Sequence, residues 1–424
     1  MCFVHSEVMS RRSFIQKASV GAAGAAALAT LGPRLAEASQ GIAVAGAGKP
    51  DLVVDTQATP SKVIDGFSKV LHNRWNQDLP AVAKVGQGEA VQFLCRDALD
   101  IGASANTLTP GGVLTLDLGK IHPLTGPVEI EGAKPGDVLE VEVLDVSPLV
   151  DFGYVVISPA LGLFGSLRPD LLAPLNQFTE ASQLSDPNPG RVPSAIPADQ
   201  PYNSGAPFVQ LFKFNKGQSS GFASFVGKDT GKKAQIPIAP FMGIYGVAPL
   251  RKGMYRTVPP NVSGGSGGNT DIKQFVKGAR IQYPVYTDGA KFSAGDGHMA
   301  QGDGEVCVTA IETLMSVTCS FRVLKNTVIT SPRAIIPAAD PSELALTKDM
   351  LAMGYYHTTG VGPDVMENAK NAVRDMIDWL VREQGLSLHE AYAICSVAGD
   401  LKISEVVDVP NWIVSMTVPR GIFS

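Results

Sequence analysis

Residues 133–144 read AKPGDVLEVEVL, and the period of this stretch decides the fold class. Pro135 and Gly136 supply a turn. Leu139, Val141 and Val143 then alternate with Glu140 and Glu142. A period of two predicts a strand with one buried face and one wet face. Residues 84–94, KVGQGEAVQFL, repeat the form of a turn followed by a strand. Working outward, residues 80–146 read as strands joined by tight turns, 51–54 (DLVV) as a first strand, and 274–312 as a further strand-rich region. Residues 165–235 are rich in Pro, Asn, Ser and Gly, which predicts long loops or short edge strands. Residues 261–269 form a Gly/Ser loop. The 44 Gly and 30 Pro among 424 residues, with 18% charged, agree with a turn-rich β fold.

The period changes near the C-terminus. Val365, Ala369, Ala372, Val373, Met376, Ile377, Leu380 and Val381 recur at helical spacing, with Pro363 ahead and Gly385 behind. Ser387 and Glu390 are spaced as a capping box for a second helix ending near Gly399. Residues 401–407 and 412–418 read as final strands. The expected fold is therefore mainly β: a layered, sandwich-like body with a C-terminal helical pair packed on one side (β/β/α). No linker interrupts residues 39–424, which read as a single domain.

The N-terminus reads as a targeting segment. SRRSFIQK (10–17) resembles a twin-arginine export signal, an apolar run over 18–31 follows, and Ala36-Glu37-Ala38 fits a cleavage site. The run is too short and too rich in Ala and Gly to span a bilayer. The expectation is an export signal over 1–38 and a periplasmic protein with no stable membrane anchor once the signal is removed. Removal of Arg11, Arg12, Lys17 and Arg34 together with Glu7 and Glu37 would take the net charge from −5 to −7. With no basic footprint, nucleic acid is excluded as a partner. Cys95, Cys307, Cys319 and Cys395 are too few for a disulfide framework. They leave one bridge open in an oxidising compartment, and no C-x-x-C supports a thiolate zinc site.

The richest concentration of ligand-type side chains is 295–306, GDGHMAQGDGEV. Asp296, His298, Gln301, Asp303 and Glu305 read as a loop running into an apolar strand over 306–311. Carboxylate and imidazole at short spacing suit a divalent metal, and the glycines let the backbone bring them together. A solvated polar turn explains the same spacing equally well. A second cluster, GNTDIK (268–273), offers Asn269, Asp271 and Lys273. LHNRW (71–75) and IHPLTGP (121–127) each hold one His. GGSGG (264–268) satisfies G-x-S-x-G but lacks the strand-turn-helix setting of a nucleophile elbow, so Ser266 is set aside.

Taken in order, HNRWNQDLPAV (72–82), HPLTGPVEIEGAKPGDVLEVEVLDV (122–146), GGNTDIKQ (267–274) and YPVYTDGAKFSAGDGHMAQGDGEV (283–306) resemble the acetamidase/formamidase family, over roughly 50–420. The resemblance implies a mainly β layered fold with helices on one side. It also implies a metal-dependent hydrolase that splits short aliphatic amides to a carboxylate and ammonia. Its acidic and His positions fall on Asp271, Asp296, His298 and Glu305, with Asp97 at a strand end and His72 as in the formamidase-like branch. Where this chain has His122, some members carry Asn. The chain departs from the family pattern after Asp97, where a Gly-Gln pair is replaced by ALDIG, and over 165–235.

The expected metal ligands are Asp271, Asp296, His298 and Glu305, with Asp97 or His72 completing a second site. Zn2+ is favoured, with an ion such as Ca2+ as a second. Glu305 or Asp303 is expected as general base, and Asn269 and Lys273 as substrate or oxyanion contacts. The expected partners are a small amide substrate and a second copy of the chain in a homodimer. Two rival readings remain at this level: a hydrolase of a larger amide, ester or nitrogen-rich compound, and a non-catalytic, metal-stabilised envelope binding protein.

Overall fold

The alternating stretch forms the strand Val138–Pro148, and Leu139, Val141 and Val143 are buried as their period requires. Glu142 is exposed, but Glu140 is buried, against the expected wet face. The reason lies on the flanking strands. Gln282 Nε2 donates to the Glu140 carboxylate at 2.7 Å, and Arg322 pairs with it from the other side. Their long side chains cover the carboxylate while satisfying it.

In a computed structural model of the chain, the described residues are 60–67, 71–101, 108–113, 120–158, 161–164, 206–257, 260–261, 265–329, 331–336, 346–405 and 412–423. The export signal expected over 1–38 and the strand expected at 51–54 lie outside them. Contacts between Cα atoms gather Thr56–Ser424 into one compact unit.

Val138–Pro148 lies in a six-stranded sheet. The order is Lys62–Asp65, Val91–Cys95, Met315–Leu324, Val138–Pro148, Arg280–Pro284 and Arg333–Ile335. Only its first pair is parallel. A twelve-stranded sheet faces it. Its long path runs Lys233–Pro237, Phe222–Val226, Phe208–Lys213, Phe152–Ile157, Glu312–Thr313, Phe292–His298, Phe241–Gly246, Gly267–Asn269 and Pro260–Asn261. The strand Leu124–Ile130 joins beside Phe292–His298 and carries Leu71–His72 and Ala83–Val85. Phe292 stacks edge-on against Phe93 and Phe321 of the six-stranded sheet, at centroid distances of 5.6 and 5.1 Å. These contacts sit in the shared core of the two layers.

Three strands of the larger sheet fall inside the region expected to be loops or edges. Phe208, Val209, Phe212, Phe225, Ala234 and Ile236 are all buried. Glycines punctuate the connections at 214–221 and 227–232, and the three short strands stand at the end of the sheet, the edge-strand half of that expectation. The Gly/Ser loop is likewise a strand in its last part, Gly267–Asn269.

The helical pair forms as the sequence predicts. Val365–Gln384 is capped by Asp364 and stopped by Gly385 in the left-handed region, φ 65°. Leu388–Ala398 carries the Ser387/Glu390 capping box. The long helix buries Ala369, Ala372, Val373, Met376, Ile377 and Leu380 against the three-stranded sheet of Tyr355–Gly362, Trp412–Pro419 and Asp400–Glu405. The second helix bears on the twelve-stranded sheet. Among the described residues no helix is long and apolar enough to cross a membrane. Cys95, Cys307, Cys319 and Cys395 are buried free thiols, so the bridge left open by the sequence is not formed. Burial pushes the Cys95 thiol up to about 12 and Cys307 to about 11.

Candidate metal centre and active site

The stretch GDGHMAQGDGEV is built in the reverse order from that expected. Gly295–His298 is the end of the buried strand Phe292–His298, and 306–311 is turn and irregular chain. The strand glycines serve close packing rather than flexibility. A Cβ on Gly295 would stand 2.6 Å from Leu124 Cδ2, and one on Gly297 would stand 2.3 Å from Met315 Cβ.

The neighbouring strand Phe241–Gly246 lies between Phe292–His298 and Gly267–Asn269. Its Gly243 accepts the backbone N–H groups of Thr270 and Asp271 at 3.1 and 3.2 Å. A Cβ on Gly243 would meet Asp271 Oδ1 at 2.5 Å, Asp296 Oδ2 at 2.7 Å and His298 Cε1 at 2.7 Å. The missing side chain is what lets groups from both flanking strands converge above it. On the far side, Glu312 stands directly opposite His298 in the antiparallel register. Glu305 enters from the turn after the strand.

Two sets of ligand atoms result, each within 4.8 Å: Asp271, His298 and Glu305, and Asp296, His298 and Glu312. They share one imidazole. Asp271, Asp296 and Glu305 have φ of 47°, 63° and 40°, a left-handed backbone that costs free energy in residues other than Gly. Three such residues in one cluster mark a site whose geometry the surrounding packing imposes.

His298 Nε2 lies 3.2 Å from Asp296 Oδ1 and 3.2 Å from Glu312 Oε2. One proton cannot serve both. Glu312 Oε2 and Asp271 Oδ1 are buried and accept no hydrogen bond. Buried carboxylate oxygens left this way are costly, and a divalent cation with oxygen and imidazole ligands removes the cost. The donor set therefore fits a metal.

The electrostatics follow from burial and crowding. Burial, then the charge of Asp296, push Asp271 up to about 7, against His298 and a hydrogen bond with Glu305. Burial pushes Glu312 up to about 8, partly offset by His298. Burial and the Asp271 charge hold Glu305 well above the usual carboxylate range. Burial works against the charged form of Asp296 too, but His122 and His298 outweigh it and hold this carboxyl low. Burial likewise opposes the His298 imidazolium, but Glu312 and Asp296 overcome it and raise its affinity for a proton.

Asp271, Asp296, Glu305 and Glu312 line a cavity of about 190 Å³ together with Asn269 and His122. His122 Nδ1 is buried without a partner. Asn269, expected to touch substrate, is thus in place. Asp303 and Lys273 are not. Lys273 pairs with Asp400 and lies 3.6 Å from Asp303, beside a separate pocket of about 90 Å³. Asp97 stands outside both ligand sets. It accepts Tyr154 OH at 2.6 Å and the N–H groups of Leu99 and Ile101 at 3.2 Å each, which fixes its turn. His72 has both nitrogens engaged, Nδ1 with Arg74 O at 3.0 Å and Nε2 with Ser293 Oγ at 2.8 Å. Glu312 and Gly243 were not singled out from sequence. The available signal for Glu312 was a lone carboxylate in the otherwise uncharged run TAIETLM (309–315).

The chain matches the model of the Acetamidase/Formamidase family over residues 58–424. It is similar to a formamidase-like protein of Schizosaccharomyces pombe, at 31% identity over 387 residues, covering 83% of this chain and 90% of the relative. It is also similar to a formamidase of Methylophilus methylotrophus, at 28% identity over 402 residues, covering 83% of this chain and 89% of the relative. Among solved structures, a gamma lactamase from Delftia acidovorans superposes with a TM-score of 0.66 at 23% identity, covering 86% of this chain and 94% of that one. At that identity the likeness is one of fold.

Proposed function

The chain belongs to the acetamidase/formamidase family, as the resemblance implies, and is an amide hydrolase; from that premise we propose that it is an exported, metal-dependent enzyme cleaving short aliphatic amides of the formamide and acetamide type. The carrying observation is the pair of ligand sets sharing His298, with two buried carboxylate oxygens that accept no hydrogen bond.

Asp296, His298 and Glu312 are the groups that would hold the ion, with Zn2+ as the favoured species; a second ion such as Ca2+ is the alternative for the set of Asp271, His298 and Glu305. Bound there, a divalent cation would supply Lewis acidity, polarising the amide carbonyl and lowering the pKa of water toward neutrality. The protein supplies the proton traffic. Amide nitrogen leaves only when protonated, so one group must take a proton from attacking water and return it to nitrogen. Glu305 suits this role: burial and the Asp271 charge raise its carboxyl's affinity for a proton, it shares a hydrogen bond with Asp271, and it lines the cavity. Asn269 and His122, which line the same cavity, orient the amide by hydrogen bonds.

Ammonia release from formamide and acetamide, before and after metal is stripped by a chelator, tests this reading. Loss on stripping and recovery on adding Zn2+ are expected; unchanged turnover after verified metal loss would end the metal mechanism. Export to the periplasm is supported by SRRSFIQK and the apolar run behind it. N-terminal sequencing of protein from a periplasmic fraction should begin just after Ala38. A homodimer is proposed as the working assembly, and sedimentation equilibrium measures it directly.

A further inference from the structure

We infer that the preferred substrate is a primary amide whose acyl part is an apolar group of about four to six carbons, rather than formamide itself. The inference rests on the amide-hydrolase reading above and deepens it. The cavity that the carboxylates line is also walled by apolar side chains: Leu99, Val113, Ile121, Val156, Leu161 and Val308. They come from four separate places in the chain, so the pocket is assembled by the fold rather than by one flexible loop. Val113, Ile121 and Val156 are buried, and Leu99 and Leu161 are half-buried.

Size separates the candidates. The cavity measures about 190 Å³. One water needs on the order of 10–15 Å³ by this kind of measure, and an apolar cavity of about 150 Å³ accepts a six-carbon ring. Formamide brings no carbon beyond its carbonyl and acetamide brings one methyl, so either leaves most of the apolar wall facing water. A butyl, branched or small cyclic acyl group covers it. The carboxylates fix the orientation, with the scissile amide toward Asp271, Asp296, Glu305 and Glu312 and the hydrocarbon against the apolar walls.

Each buried methylene raises transition-state binding about four-fold. For the Zn2+-loaded full-length protein, kcat/KM measured by ammonia release should climb at least ten-fold from acetamide to pentanamide and fall again beyond about six carbons. Leu161→Trp and Leu99→Trp fill the cavity from its apolar wall at half-buried positions. Each should lower kcat/KM for pentanamide at least ten-fold more than for acetamide. A flat or falling profile from acetamide to pentanamide in an enzyme that does turn over acetamide would overturn the acyl-pocket inference. No turnover on any amide would instead overturn the hydrolase reading beneath it.

Discussion

His298 and Gln301 are locked to each other: the ring Nδ1 meets Gln301 Oε1 at 2.9 Å, and the amide is oriented by its other end, where Nε2 donates to the Asp271 carbonyl at 2.7 Å. A carbonyl only accepts, so Nε2 must face Asp271 and Oε1 must face the imidazole. Nδ1 therefore carries a hydrogen, and Nε2 is the nitrogen turned to the carboxylates. One side chain thus sets the tautomer of His298 and ties the segment after His298 to that of Asp271.

Gln301→Met keeps the volume and removes both contacts. Divalent-metal affinity should fall about 10–100-fold, the usual cost of losing an outer-shell partner. Competition with a chromophoric chelator reads this independently of turnover. Affinity equal to wild type in a folded variant would show that His298 is held by packing alone.

Gly243→Ala places a methyl among Asp271, Asp296 and His298, where less than 3 Å is open. These groups must move apart by about an ångström, a displacement that can cost about 100-fold in rate. kcat/KM on acetamide should fall by at least that factor, with far-ultraviolet dichroism unchanged. The glycine is legible only in three dimensions, because nothing in FMGIYG marks which residue faces the cluster.

Glu305→Gln keeps a hydrogen-bonding group beside Asp271 but cannot exchange a proton with water. A drop in kcat of about 100- to 10,000-fold is expected, the range for lost general acid–base catalysis. KM should change little. A kcat within a few-fold of wild type would move the proton-transfer role to another carboxylate.

How much of this was readable beforehand follows from the range of each interaction. The helix pair was readable because caps and apolar period are local, as Asp364, Ser387, Glu390 and Gly385 show. The strand Val138–Pro148 was readable for the same reason. Asp296 and His298 were found by their company in sequence, and Asp271 and Glu305 by that and the family pattern. Asp303 and Lys273 have the same company yet turn away, because Asp400, 97 residues beyond Asp303, accepts the Asp303 backbone N–H and pairs with Lys273. Glu140 misled in the opposite direction: its partners Gln282 and Arg322 are more than 100 residues distant, so period two alone put it in water. Long-range partners decided each of these cases, and no local pattern records them.

Metal uptake should expel protons. Asp271 and Glu312 sit at about 7 and about 8 without metal, above their ordinary values near 4. Near neutral pH Asp271 holds its proton about half of the time and Glu312 most of the time, and both must lose it to become ligands. Apparent affinity should therefore rise as pH climbs toward about 8 and level off above it. A raised folded pKa also means that the metal-free protein loses stability as pH rises from about 4 to about 8, so metal should raise Tm most near pH 8. Calorimetric titration in two buffers of different ionisation enthalpy measures the released protons. Equal heats in the two buffers would contradict the prediction.

His72 gives a pH effect of the opposite sign, away from the carboxylates. Burial lowers it from 6.5 to about 4, with the hydrogen bond to Arg74 only partly opposing. The neutral ring is the one that fits: it meets Arg74 O and Ser293 Oγ and packs edge-on to Trp75 at 5.8 Å. Because the folded pKa lies below the unfolded one, the full stability is present above pH 6.5. It is lost as pH falls toward 4, where the unfolded chain takes up a proton that the native state refuses. A shift of this size corresponds to about 3 kcal/mol at most. His72→Asn removes the titration and also weakens the contact with Ser293, at about 1–2 kcal/mol near neutral pH. Urea unfolding of wild type and variant across pH 7 to 4 should show the stability gap narrowing as acid is added. Parallel curves over that interval would mean that His72 accepts its proton in the folded state, and that the contact with Ser293 survives with the ring charged.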